Sequence, residues 1–369
     1  MGRFSTHYPL LVPDIGQRDP DQVAEVLTRW LADKLPSGSS PRVSDVEAPV
    51  ANGFSNETIL CSASWLSPDE RVEHPMVVRI APTRHLLFMD ADFSVQYRVM
   101  KALADSGSSV PLPPLGWYED DPTWLGVPFF SMGRIDGVVP ADNLPYTMEG
   151  WVVDASPADQ ERMWWSGLEA MGSVHGTDWR KAGLQWLADP GTGLDHQLGY
   201  YREFLDWSAK GRPLPVAEAA WDWLTSRRPE ERSQPVLCWG DSRIGNIIWR
   251  DFTPMAVLDW EMATIAQPEL DLGWWLYFDR QFSEGLSLAR PQGFPSREAT
   301  IDRYSEIVGR PMRDLEWYEV FSGFRFAVIM LRLTDLLVEA GMLEPDTDMG
   351  TNNLATQFTA QLLGIPAPG

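Results

Sequence analysis

Cysteine is nearly absent: Cys61 and Cys238 are the only two in 369 residues, too few and too far apart for a disulfide framework or a cysteine-rich metal centre. Reduced, structural thiols are expected. Positive charge is also scarce, since 30 Lys and Arg stand against 52 Asp and Glu, a formal net charge of −22 that makes nucleic acid an improbable partner. No apolar run approaches the roughly eighteen residues of a membrane span. The amino terminus lacks a charged-then-apolar signal segment. A cytoplasmic location without membrane contact is the expectation. Met1 to Thr6 formally fits an acylation pattern, but no polybasic patch follows it. Internal repeats and low-complexity tracts are missing as well.

What is present is a chain long enough for two folded units, with 44% hydrophobic residues. The 18 Trp residues are spread along it, many at helical spacing, which assigns most of them to core packing. The acidic residues are spread likewise. Such a surface keeps a protein soluble and also draws polycations, and the even distribution favours the first role.

Local patterns outline the elements. Asp19-Pro20-Asp21-Gln22 combines an N-cap with a first-turn proline, and Val23, Val26, Leu27, Trp30 and Leu31 form an apolar stripe behind it. Strands near 42–50, 57–66 and 75–81 follow, then a helix near 90–105. Ser156-Pro157 caps a helix on which Trp164, Leu168, Met171 and His175 share a face, with His175 expected as a hydrogen-bonded core residue. Helical patterns near 195–209 and 215–228 come next. Glu269-Leu270-Asp271-Leu272 opens another helix, residues 280–300 read as loop, and helical spacing returns around 313–342.

The densest information lies between Cys238 and Glu261. Three short apolar runs, Pro235–Trp239, Asn246–Arg250 and Met255–Leu258, flank a polar turn and the turn-forming Asp251-Phe252-Thr253-Pro254. Asp241, Asn246 and Asp259 would then converge. Phosphoryl transfer needs a carboxylate facing the attacking hydroxyl, then an amide oxygen and a second carboxylate for magnesium, in this order. Asp-x-x-x-x-Asn alone is a common solvated turn; followed by strand, turn, strand and an isolated Asp it is specific.

At these residues the chain resembles the aminoglycoside phosphotransferase and choline-kinase-like family, which shares the protein kinase fold. The usual signature is His-Gly-Asp, four residues, Asn, then Asp-Trp; here it reads Trp239-Gly240-Asp241, Asn246 and Asp259-Trp260. The resemblance implies that Asp241 is the catalytic base and that Asn246 and Asp259 bind Mg2+. It also implies that Asp271 braces the catalytic loop. Upstream, Gly53-Phe54-Ser55-Asn56-Glu57-Thr58 is similar to the phosphate-covering loop, with Gly53, Ser55 and Asn56 as nucleotide contacts. An ordinary hairpin turn uses the same residues. Arg79, on the next strand, takes the place of the phosphate-binding cation, with a strand-end surface cation as the alternative. Pro128 to Gly133 is similar to the hinge, where the backbone of Ser131 and Met132 would meet the adenine edge, with an ordinary buried strand as the alternative. Two departures stand out: Trp239 replaces the signature His, and Gln96 replaces the acidic partner of Arg79. Arg243, two residues after Asp241, sits where protein kinases carry a lysine near the transferring group, and is a second catalytic candidate beside a loop-bracing alternative.

The expectation is an α+β, two-lobed protein kinase-like fold, with residues 1–133 forming a small antiparallel-sheet N-lobe and hinge and 134–369 a mainly helical C-lobe. Its activity would be ATP- or GTP-dependent, Mg2+-assisted phosphorylation of a small-molecule hydroxyl. Aminoglycosides come first by family, with a hydroxyacyl thioester, amino alcohol or macrolide close behind. Glu261, Asp279 and Asp335 are candidates to meet a cationic acceptor. Gln96 and Trp239 leave open a nucleotide-binding pseudokinase.

Overall fold

The computed structural model describes residues 18–48, 56–67, 70–82, 86–90, 92–142 and 144–369. Its contacts divide the chain into two compact units, residues 1–87 with 113–135, and 88–112 with 136–369.

In the first unit, helix α1 (Pro20–Lys34) starts where Asp19 accepts the Asp21 amide and Pro20 occupies the first turn. The stripe read from sequence is the buried one: Val23, Leu27, Trp30 and Leu31. They pack against a five-stranded sheet whose apolar face includes Ile59, Ala63, Val78 and Phe129. Its strands are β1 (Arg42–Glu47), β2 (Glu57–Ser67), β3 (Glu70–Ile80), β4 (Leu115–Glu119) and β5 (Phe129–Gly133), in the order β1-β2-β3-β5-β4 and antiparallel throughout. The Trp30 indole is satisfied by Glu119 at 2.9 Å, and Lys34 pairs with the same carboxylate. β3 begins five residues earlier than the sequence pattern suggested, because Glu70 to Glu73 pair with Ser67 to Ser64 of β2 although none of the four is buried. β4 was hidden by its lack of alternation; a bulge between Leu115 and Tyr118 breaks the period.

The second unit takes in α2 (Ser94–Asp105), so the division does not fall simply at residue 133. Its other helices are α3 (Pro157–His175), α4 (Gly193–Ala209), α5 (Pro215–Ser226), α6 (Glu269–Ser283), α7 (Arg297–Val308), α8 (Leu315–Glu339) and α9 (Leu354–Leu363). α6 and α8 are buried nearly all round and form its centre. The stretch expected as loop from 280 to 300 is shorter, since α6 runs on to Ser283 and α7 is capped by Ser296. Two small antiparallel ladders carry the 238–261 segment: β6 (Val236–Cys238) with β9 (Thr264–Ala266), and β7 (Ile247–Arg250) with β8 (Thr253–Val257). The β7–β8 turn is two residues rather than four. Asp251 and Phe252 both take left-handed backbone, φ 50° and 59°, while Thr253 and Pro254 are already in β8. Among the described residues no helix is long and apolar enough to cross a membrane.

Candidate active site

Asp241 lies in the polar turn between β6 and β7, and its carboxylate is held from three sides. The Trp274 indole N–H donates to Oδ1 at 2.7 Å, the Asn246 amide donates to Oδ2 at 2.6 Å, and Arg243 Nε reaches both oxygens at 3.2 and 3.3 Å. Asn246 also donates to the Asp241 carbonyl at 3.0 Å, so its Nδ2 is committed to the loop and its Oδ1 is the end left for another partner. Three neighbouring donors fix a short, charge-assisted geometry around one acceptor group.

The loop itself is fastened to the helices behind it. Asp271, fully buried in the first turn of α6, accepts the backbone amides of Trp239 at 2.7 Å and Gly240 at 2.9 Å. Its Oδ2 also meets His175 Nε2 at 2.8 Å, and the other ring nitrogen of His175 meets the Tyr304 hydroxyl at 2.6 Å. His175 is therefore the hydrogen-bonded core residue the sequence suggested, and Asp271 braces the loop. The Cys238 thiol is near enough for His175, Cys238 and Asp271 to make a metal-ligand cluster by distance, which cysteine spacing alone did not suggest. Each is already engaged, Cys238 by the Gln267 carbonyl. Both thiols are buried and burial pushes them up, Cys61 to about 12, so neither is reactive near neutral pH.

Gly240 is required twice over. Its φ is +93°, and a Cβ there would stand 2.0 Å from the Met262 carbonyl oxygen. Gly240→Ala is expected to cost roughly 1–3 kcal/mol of stability from backbone strain and to displace the adjoining Asp241. Denaturant titration beside a turnover assay checks it; a variant as stable and active as wild type would contradict the strain argument.

Asp259 follows β8 by two residues in left-handed backbone, φ 61°, an uncommon conformation for a residue with a Cβ. It belongs to the same cluster of charge: Asp142, Asp241 and Asp259 together outweigh burial and hold the Arg243 guanidinium well above its ordinary value. Trp239, where the resembled signature has His, is fully buried and donates its indole N–H to the Leu258 carbonyl at 2.7 Å, while the Leu258 amide donates to the Asn246 carbonyl at 2.8 Å. The substitution therefore ties the Asp241 loop to the backbone just before Asp259. Among the described residues Arg243 donates to no loop carbonyl; it pairs with Asp142 and Asp241 and lies 5.5 Å from the Phe278 ring.

A hollow of only about 10 Å³, room for a single water molecule, lies beside Arg243 and Asp142, walled by Tyr146, Trp275, Phe278 and Phe282. Two carboxylates considered for a cationic acceptor are engaged elsewhere. Asp335 is clamped by Arg212 at 2.7 and 2.9 Å and by Lys210, and Asp279 is bound by Arg290 at 2.7 Å. Burial pushes the Asp279 carboxyl up to about 6 against the pull of Arg290. Glu261 is half-buried.

In the first unit, Arg79 stands opposite Thr58 in the β2–β3 ladder and donates to its hydroxyl at 3.2 Å, while its Nε is buried without a hydrogen-bond partner among the described residues. Asn56 is buried just before β2. Gly53 and Ser55 lie outside the described residues. Ser131 and Met132 are inside β5, which is laddered to β3 and β4, and the Ser131 hydroxyl accepts the Trp117 amide at 3.0 Å. Gln96 is buried on α2, a helix of the second unit.

Sequence reading missed Trp274, Asp142 and the buried Arg325, which donates to the Gly240 carbonyl at 3.1 Å. Trp274 had a signal: it lies one turn after Asp271, on the same face of α6.

A carboxylate-bearing turn, a following hairpin and an acidic brace from the next helix are the arrangement of a kinase-like phosphotransferase. The chain belongs to the phosphotransferase enzyme family, whose model matches residues 47–306, well over half its length. Among solved structures, a Ralstonia eutropha protein named as an aminoglycoside phosphotransferase superposes with TM-score 0.66 at 22% identity, covering 92% of this chain and 95% of that one. A thermostable mutant of aminoglycoside phosphotransferase APH(4)-Ia, solved with ADP and hygromycin B, gives TM-score 0.53 at 13% identity over 93% of this chain and 99% of that one. These share the fold. In sequence, human acyl-CoA dehydrogenase family member 11 is 28% identical over 247 residues, 63% of this chain. The match spans only 30% of that longer protein.

Proposed function

We propose that the protein transfers the γ-phosphoryl group of ATP or GTP to a hydroxyl of a small molecule, with Asp241 as the base. The observation that carries this is the Asp241 carboxylate, oriented by Trp274, Asn246 and Arg243 in a loop braced from behind by Asp271. A carboxylate so held orients the attacking hydroxyl and takes its proton, and positioning of this kind supplies most of the catalysis in phosphoryl transfer. Arg243 offsets charge on the transferring group. Asn246 Oδ1 and the Asp259 carboxylate are hard oxygen donors that would hold Mg2+, where it supplies neutralisation of the phosphate oxygens. Arg79, with Gly53, Ser55 and Asn56, is assigned to the phosphates, and the backbone of Ser131 and Met132 to the base edge through whatever groups the β5 ladders leave. The nucleotide assignment draws on the relative solved with ADP.

The acceptor is best read as one with an apolar body. Asp279 and Asp335 are consumed by arginines, and the side chains of Tyr146, Trp275 and Phe278 stand beside Arg243. The sequence relatives carry acyl-CoA dehydrogenase names, so a hydroxyacyl thioester moves ahead of an aminoglycoside. A panel of hydroxyacyl thioesters of graded length, an aminoglycoside, a macrolide and choline, read by Mg2+-dependent nucleotide consumption, tests this. Turnover with the thioesters supports the reading; turnover confined to the polycation overturns the acceptor class. Nucleotide binding with no turnover on any acceptor favours a pseudokinase.

Arg79→Ala should raise the nucleotide KM and lower kcat together, by about 1.5–3 kcal/mol in combined effect, as for one charge-assisted hydrogen bond. Steady-state kinetics check it. Unchanged constants would make Arg79 a strand cation only.

A further inference from the structure

Arg325 is 1% exposed in the middle of α8 and forms no ion pair among the described residues. Its Nη2 donates to the Gly240 carbonyl at 3.1 Å, while Nε and Nη1 are buried with no well-aligned acceptor among the described residues. The guanidinium lies instead against aromatic rings, 4.4 Å from Trp274 and 5.0 Å from Tyr201. Burying a cation this way is expensive, and a well-packed apolar side chain of similar volume commonly serves stability better. Its placement gives another reason for it. Gly240 precedes Asp241 in the chain, and Trp274 donates the 2.7 Å hydrogen bond to Asp241 Oδ1. One guanidinium therefore touches both supports of that carboxylate: the backbone that carries it, and the ring that aims it. A cation over an indole face also polarises the ring and strengthens its N–H as a donor.

We propose that Arg325 is a positioning residue for the Asp241 carboxylate, acting through the Gly240 carbonyl and the Trp274 ring. This rests on Asp241 being the base. A flat guanidinium satisfies a carbonyl at its edge while stacking on a ring with its face, which an ammonium cannot do. Arg325→Lys is therefore a partial substitute and Arg325→Met a poor one.

The test uses two readouts on the full chain. The first is nucleotide hydrolysis with Mg2+ and water as acceptor, which needs no knowledge of the natural substrate. The second is the ¹⁵N-tryptophan spectrum, with the Trp274 indole resonance assigned by its loss in Trp274→Phe. For Arg325→Met, kcat per folded molecule should fall on the order of 10- to 100-fold with the nucleotide KM nearly unchanged, as for a misplaced catalytic group. The Trp274 indole signal should shift and exchange faster, and Arg325→Lys should recover part of both. Reduced thermal stability with wild-type kcat and an unmoved Trp274 signal would overturn the proposal, leaving Arg325 a packing residue. If Arg325→Met does not fold, Arg325→Lys decides: a shifted signal with reduced kcat supports the proposal and wild-type behaviour rejects it. Asp241→Asn separates the two levels. Full hydrolysis in that variant would remove Asp241 as base and with it the catalytic role of Arg325, whereas an inactive Asp241→Asn beside fully active Arg325 variants would reject the positioning role alone.

Discussion

Asp241→Ala is expected to lose phosphoryl transfer by roughly 10²- to 10⁴-fold, the usual contribution of a positioned general base, while nucleotide affinity stays near wild type. The carboxylate serves the acceptor, so its loss removes orientation and proton uptake without removing a nucleotide contact. Its surroundings also sharpen the result. Trp274, Asn246 and Arg243 all donate to Asp241, and in the alanine variant these three donors lose their shared acceptor. Arg243 keeps Asp142 as a partner, so the loop should remain folded, and thermal denaturation can verify this before kinetics are interpreted. Activity within tenfold of the wild type would reject Asp241 as the base.

Asp259→Ala should be nearly as damaging, by a different route. The residue sits in left-handed backbone at the end of a hairpin, a conformation retained where surrounding contacts over-determine it. Those contacts are visible: Trp239 holds the Leu258 carbonyl, and Leu258 holds Asn246. This fixes the two oxygen donors assigned to Mg2+ relative to one another. Removing one should abolish the dependence of nucleotide affinity on Mg2+, since a hard ion needs both protein oxygens and phosphate oxygens to complete its shell. Calorimetric titration of wild type and variant, each with and without Mg2+, reads this directly. Equal affinity with and without the ion in the wild type would count against the site.

Much of this was legible in the chain because the responsible patterns are local. Asp19-Pro20 and the 23–31 stripe specify α1 through capping and a 3.6-residue period, and the structure buries Val23, Leu27, Trp30 and Leu31. Asp241, Asn246 and Asp259 stand out because one short stretch carries all three on a turn and a hairpin, although distant residues, Asp271, Trp274 and Arg325, hold that turn in place. Local signals failed where tertiary packing decides. β4 has a bulge instead of alternation, and α9 is a short apolar helix whose capping box, Asn353 with Thr356, becomes evident only in three dimensions. Arg243 was half legible: its nearness to Asp241 follows from sequence, whereas Asp142 comes from a loop 101 residues away. Trp239 read as a departure from the family signature, yet its indole does bracing work by reaching the Leu258 carbonyl. Arg325 had no sequence signal at all, because nothing in a long apolar helix pattern says that one arginine turns inward.

The most direct test of the central claim follows the label: γ-labelled ATP and GTP are incubated with the protein, Mg2+ and the acceptor panel, and the products are separated. The account predicts a labelled phosphate ester on a hydroxyl acceptor, formed only with Mg2+ and absent with Asp241→Ala. Nucleotide that binds but never passes its label to any acceptor or to water would contradict it.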